Sequence, residues 1–309
     1  MALAPDTRRL IDRLGKGTPF PELGPAKART EYRARIRELA GPGPAQVCPA
    51  EDTELAGVPV RVYRPLGVTG PTAPGVVFLH GGGWVIGDLD THDLHARALA
   101  VAANAVVVSV GYRRAPEHPY PVPLDDCWAV TEHVAQHATT LGIDPAQLAV
   151  AGDSAGGNLA AAVALRARDA AVPLRAQLLV YPVTDPTMST TSYTTYADDH
   201  YLTADAMRWF IDAYLPDLAT RTLPLAAPLH APDLAGLPPA IVVTAEFDPL
   251  RDEGAAYADR LRAAGVPTTE ISVPTVHGFL EFVHEIPAAL RARDNILREF
   301  AALIRADRG

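Results

Sequence analysis

The five residues Gly152-Asp153-Ser154-Ala155-Gly156 have the types and spacing of a serine nucleophile carried on a tight turn. They follow directly on the apolar run 147–151 and directly precede a helical pattern. A strand that folds at once into a helix needs glycine on both sides of the bend, and the serine hydroxyl is then left exposed above the sheet edge. The helix N-terminus beneath it sets a positive dipole end where negative charge develops. Taken alone, the same pattern also fits a phosphate-binding turn.

A second set of residues lies upstream. His80-Gly81-Gly82-Gly83-Trp84 follows the apolar run 76–79. Three successive glycines leave backbone N–H groups unshielded, and acyl transfer needs such donors aimed at the oxyanion of its tetrahedral intermediate. The expected donors are the N–H groups of Gly82 and Gly83, with that of Ala155 as the third. Trp84, beside them, is expected to line the substrate pocket. Alone the glycines also fit a hinge; beside a GxSxG turn they point to an oxyanion hole.

The nucleophile then requires a base and an acid. Asp248 follows the apolar run 240–245, and His277 follows the run 268–273. Functional groups in open α/β sheets gather at strand C-terminal ends, so both residues are expected on loops at the edge that carries Ser154. His277 would take the serine proton, and Asp248 would hold its tautomer and stabilise the imidazolium. Asp248 has a second reading as a helix N-cap, with Pro249 at the first helical position and Asp252 and Glu253 in the first turn. His92 and His95, spaced i,i+3, have no third metal ligand nearby. His80 is expected to shape the glycine loop through its side chain, and Glu117 to be structural. No metal and no cofactor are expected.

These groups need a scaffold, and the chain supplies one by alternation. Short, nearly continuous apolar runs at 76–79, 105–110, 147–151, 176–181 and 240–245, with a last strand at 268–273, suit strands covered on both faces. Residues 58–63 alternate at period two, as in an antiparallel strand near a sheet edge. Helices are expected at about 90–103, 125–141, 155–169, 250–264 and 285–305, the last with a stripe of Leu290, Ile296, Leu297, Phe300 and Ile304. The fold class is therefore α/β, a mainly parallel central sheet flanked by helices; the length admits one large domain or two small ones, and a single domain over 1–309 is expected. Two stretches break the alternation. Residues 1–45 read as two helices joined by a Pro/Gly-rich linker from Gly15 to Pro25. Residues 186–225 read as a Ser/Thr-rich loop, a helix around Ala204–Leu215 and a strandless remainder.

With these residues in hand the chain resembles the bacterial hormone-sensitive-lipase-like esterases of the α/β-hydrolase superfamily, in their GDSAG subgroup. The likeness spans almost the full length. It rests on HGGGW at 80–84, YRRAPEHPYP at 112–121, GDSAGGNLA at 152–160, DPLRDEG at 248–254 and HGF at 277–279. It implies a helical cap formed by about 1–45 and 186–225, and a serine carboxylesterase acting on short- to medium-chain esters. Dimers are frequent in such families, so it also admits a homodimer. Arg114 stands where the family more often has an apolar residue. An amidase or acyltransferase would use the same triad, and a ligand-binding receptor on this fold is the alternative from another class.

Composition narrows the partners. The formal charge of −9 argues against nucleic acid, because phosphate binding needs a basic face. Hydrophobic residues at 48% and charged ones at 20% suit a soluble protein with a sizeable core. Cys48 and Cys127 form no CxxC pair and read as two free thiols. The first residues lack the apolar stretch of a signal peptide, and no run is long enough to cross a membrane. A cytoplasmic protein is expected, acting on a small-molecule ester and not on a membrane.

Overall fold

A computed structural model describes residues 3–15, 17–41 and 47–306. Its centre is an eight-stranded sheet of β1 (Ala50–Leu55), β2 (Val58–Tyr63), β3 (Ala73–Leu79), β4 (Val106–Val110), β5 (Ile143–Asp153), β6 (Gln177–Val180), β7 (Ala240–Phe247) and β8 (Thr268–Val276). The spatial order is β1-β2-β4-β3-β5-β6-β7-β8. The β1–β2 and β2–β4 pairs are antiparallel, and every pair from β4 to β8 is parallel. Parallel strands buried on both faces read as continuous apolar runs. In β3, Val77 and Leu79 enter the core on one face, and Val76 and Phe78 the core on the other.

The helices are α1 (Pro5–Leu14), α2 (Phe20–Leu39), α3 (Asp93–Ala103), α4 (Val122–Gln136), α5 (Ala155–Asp169), α6 (Ser192–Thr195), α7 (Ala204–Tyr214), α8 (Arg251–Ala263) and α9 (Pro287–Arg305). Helices α3 and α9 bury their apolar faces on one side of the sheet; α4, α5 and α8 do so on the other. In α9 the buried stripe runs through Ala289, Ile296, Phe300 and Ile304, while Leu290 turns outward at 36% exposure. Spacings of seven and four keep that stripe on one helix face, and Leu290 lies one residue off it.

Strand β1 and helix α2 differ most from expectation, and α4 runs Val122–Gln136 where about 125–141 was expected. Strand β1 has the sequence Ala-Glu-Asp-Thr-Glu-Leu and is almost wholly exposed, so no apolar pattern announces it. It exists because β2 offers it a free edge. Helix α2 starts at Phe20, inside the expected linker, and continues past a break at Gly24, where φ is +70°. Residues 1, 2, 16 and 42–45 of that segment lie outside the described residues. Helix α2 meets α7 through Phe20 and Phe210, whose ring centroids are 6.4 Å apart. Cys48 and Cys127 are free and buried. Among the described residues no helix is long and apolar enough to cross a membrane.

Candidate active site

Two register relations assemble the site. In the parallel pair β3–β5, Leu79 lies opposite Gly152, so residues 80–83 and 153–154 leave the sheet side by side. Strand β3 has β4 on one side and β5 on the other, and such a reversal of strand order opens a crevice at the strand ends. In the pair β7–β8, Phe247 lies opposite Val276, which sets Asp248 and His277 on adjacent strand ends.

The turn at Ser154 is tight. Its backbone sits at φ +55°, ψ −119°, a conformation that costs on the order of 1–3 kcal/mol in a non-glycine residue. The Ser154 N–H donates to the Val180 carbonyl at 2.8 Å, and the Ser154 carbonyl accepts from Asn158 N–H at 3.0 Å. A Cβ on Gly152 would stand 2.2 Å from the Gly156 carbonyl oxygen, and one on Gly156 only 2.0 Å from that of Leu79. Only glycine fits at either position.

This bend aims the serine hydroxyl at an imidazole. Ser154 Oγ lies 2.9 Å from Nε2 of His277, and His277 Nδ1 lies 2.7 Å from Oδ2 of Asp248. Ser154 and His277 keep 8% and 6% of their surface, enough for contact from one side only, and Asp248 keeps none. Tyr181 backs the imidazole, with ring centroids 4.5 Å apart. The other oxygen of Asp248 accepts the Leu250 N–H at 2.8 Å. Helix α8 begins only at Arg251, with Leu250 at its N-cap. The N-cap reading of Asp248 and the first-turn placement of Pro249 are therefore corrected. A turn closed by Arg251 N–H on the Asp248 carbonyl comes before the helix.

Beside the turn at Ser154 lies the glycine loop. The N–H groups of Gly82, Gly83 and Ala155 have no acceptor among the described residues. Gly82 and Gly83 have φ of +100° and +57°, open to glycine and strained for other residues. A Cβ on Gly83 would meet the Phe210 ring at 2.2 Å. Trp84, expected at the pocket, is fully buried and stacks on Tyr214 at 4.3 Å with 14° between planes. Its indole packs behind the loop and presents no exposed face.

Three side chains reach the loop: His80, in the role expected of it, and Asp153 and His92, whose part here the motif spacing did not reveal. Asp153 Oδ1 accepts the Gly81 N–H at 3.0 Å, and its Oδ2 lies 3.5 Å from His92 Nε2. Burial by itself would raise the Asp153 carboxyl, but the charge and hydrogen bond of His92 outweigh it and hold the group below its ordinary value. With His92 protonated, Nε2 is a donor towards Asp153, and the Gly81 N–H is left to Oδ1. His80 Nδ1 lies 2.9 Å from the Gly81 carbonyl, and its ring stacks on Tyr112 at 4.1 Å. Among the described residues no group of three His, Cys, Asp or Glu side chains could hold a metal. Glu117 grips Arg29 of α2, whose Nε also donates to the Val85 carbonyl. That contact holds the Glu117 carboxyl down at about 2. Arg114 donates to the Gly87 carbonyl at 2.7 Å, at the exit of the glycine loop.

Comparison with known proteins adds relatives to this geometry. A family model described as the alpha/beta hydrolase fold matches residues 76–281. The carboxylesterase NlhH of Mycobacterium tuberculosis is 48% identical over 287 residues, covering 89% of this chain and 88% of that protein. An arylesterase of Saccharolobus solfataricus is 41% identical, covering 74% of each chain. Among solved structures, a thermostable esterase from Pseudomonas putida superposes with a TM-score of 0.93 at 38% identity, covering 99% of this chain and 98% of that one.

Proposed function

We propose that this chain, which belongs to the α/β-hydrolase family in its hormone-sensitive-lipase-like branch, cleaves short- to medium-chain esters through an acyl-enzyme on Ser154. It is a carboxylic ester hydrolase; the residue roles and the acyl range are our reading. The observation that carries the roles is the relay of 2.9 Å and 2.7 Å from Ser154 through His277 to Asp248.

In this reading Ser154 Oγ attacks the ester carbonyl while His277 Nε2 takes its proton. Asp248 keeps the Nδ1 proton directed at itself and offsets the imidazolium charge. The carbonyl oxygen becomes an oxyanion and accepts hydrogen bonds from the N–H groups of Gly82, Gly83 and Ala155, worth roughly 3–4 kcal/mol for one such donor. Collapse of the intermediate expels the alcohol, which receives the proton from Nε2. Water then repeats the sequence on the acyl-enzyme and releases the acid. Trp84 contributes by packing behind the glycine loop.

Helices α1 and α2 with residues 186–225 serve as the cap. Phe20 of α2 and Phe210 of α7 lie near the glycine loop, which supports that assignment and the short- to medium-chain range. Two buried free thiols support a cytoplasmic location. A homodimer is proposed on the family likeness alone. The test is the Ser154→Ala variant, for which kcat on a chromogenic short-chain ester should fall by about 10⁴-fold or more with the fold intact. Wild-type turnover in that variant would refute the roles.

A further inference from the structure

Four residues past His277, Glu281 receives hydroxyl groups from two distant parts of the chain. Tyr32 of α2 donates to Oε1 at 2.9 Å, and Tyr201, in the 186–225 segment, donates to Oε2 at 2.5 Å. The Tyr201 ring covers Gly278, where an added Cβ would lie 3.0 Å from its Cε1. From there contacts run on without a gap. The Arg35 guanidinium sits 5.7 Å from the Tyr201 ring and 5.1 Å from that of Phe20. Phe20 meets Tyr32 edge-on at 6.3 Å and Phe210 at 6.4 Å. Phe210 in turn rests on Gly83. An arch of rings therefore spans from the residue after His277 to one of the oxyanion-loop glycines. Phe20, Arg35 and Tyr201 also line a cavity of about 630 Å³ to which Ser154 and His277 do not contribute.

We propose that Glu281 is a positioning residue that fixes this arch over the acyl site and thereby limits acyl size. The inference rests on the reading of Ser154 and His277 above. Glu281 touches none of the reacting atoms. It acts by denying two phenol groups, and through them α2 and residues 186–225, the freedom to move off the glycine loop. An arch held at one foot leaves room for a short acyl chain and excludes a longer one. Released, it admits longer chains and orients short ones less well.

The experiment compares wild type with Glu281→Gln and Glu281→Leu, using p-nitrophenyl acetate, butyrate and octanoate. For Glu281→Leu we expect KM for acetate to rise about tenfold with kcat changed less than threefold. The octanoate-to-acetate ratio of kcat/KM should rise about tenfold. Glu281→Gln, which retains one acceptor oxygen, should fall between the two. Tyr32→Phe and Tyr201→Phe each remove one donor, and each should shift the same ratio by a smaller factor even if Glu281→Leu does not fold. A uniform fall in kcat at every chain length, or an unshifted ratio with turnover still dependent on Ser154, would overturn the role of Glu281 alone. Turnover that survives Ser154→Ala would instead overturn the reading of the site on which the role rests.

Discussion

His277 Nδ1 and the carboxylate of Asp248 stand 2.7 Å apart through Oδ2, while Oδ1 of the same carboxylate is committed to the Leu250 N–H. One side chain thus holds both the imidazole and the turn that enters α8. Asparagine can keep the second bond through its carbonyl oxygen, but its NH₂ then faces Nδ1 and selects the wrong tautomer. Asp248→Asn should therefore unfold within about 1 kcal/mol of wild type, since the bond to the Leu250 N–H that holds the turn is kept and one such bond is worth about that much, and lose roughly 10⁴-fold in kcat. Asp252→Asn is the control. Its carboxylate accepts the Ser192 N–H and does not reach His277, so most activity should remain. Urea unfolding and initial rates on both variants decide it; an active Asp248→Asn protein leaves His277 without this partner.

The glycines of the turn at Ser154 make a second test. At Gly156 an added methyl would stand 2.0 Å from the Leu79 carbonyl oxygen and 2.6 Å from its carbon, and both atoms belong to the backbone of a central strand. Neither can yield as a side-chain tip would. Gly156→Ala should cost at least about 3 kcal/mol of stability and depress kcat a hundredfold or more in whatever folds. Near-normal melting and turnover would show that the close approach is not fixed.

The motifs were legible because each is local. Gly152 to Gly156, His80 to Trp84, and the residues just past two apolar runs can be found by spacing alone, and strand register then brings them together. What spacing could not reveal is long-range. Glu281, Tyr32 and Tyr201 come from three separate regions and share no pattern. Asp153 hides in the variable position of its own motif, and only the 3.0 Å bond to Gly81 shows its use. Strand β1 was illegible for another reason: an exposed edge strand of charged residues satisfies its backbone through β2 and leaves no apolar signature. Helix α8 starts late because the Asp248–Arg251 turn comes before it, a boundary that propensity does not resolve.

Two buried imidazoles should each weaken the fold towards acid in a defined window. Burial, with the neighbouring charge of His92, pushes His95 down to about 4, and the same causes lower His80. Both stay neutral when folded at pH values where an unfolded imidazole, near 6.5, has taken up a proton. Between about pH 6.5 and 4 the unfolded chain therefore binds more protons at these two groups, and their contribution to stability falls as pH falls. His92 works in the opposite sense. Burial alone would lower it, but Asp153 holds it above its ordinary value. Its contribution is complete below about pH 6.5 and is lost as pH rises through its folded value. Burial holds the Glu253 and Glu281 carboxyls above their ordinary value, and these work against that fall, so the test is the difference. From pH 7 to 4.5 the slope of the urea midpoint should differ between His95→Gln and wild type by about one proton, with His95→Gln losing less stability. An unchanged slope would contradict a buried neutral His95.

Substrate range follows from the crowding over the glycine loop. With Phe210 against Gly83 and Ser154 only 8% exposed, water-soluble esters of short to medium acyl length should turn over fastest. No rate jump is expected above a substrate's solubility limit. Long-chain triglyceride as the best substrate, with such a jump, would contradict the cap assignment.

The central claim is that Ser154 is the nucleophile, and covalent labelling tests it most directly. A fluorophosphonate should modify the wild-type chain once, on the peptide that contains Ser154, and abolish ester hydrolysis in proportion to its incorporation. Ser154→Ala should take up no label at the same concentration. Modification of a different residue, or equal labelling of the Ser154→Ala chain, would contradict the account.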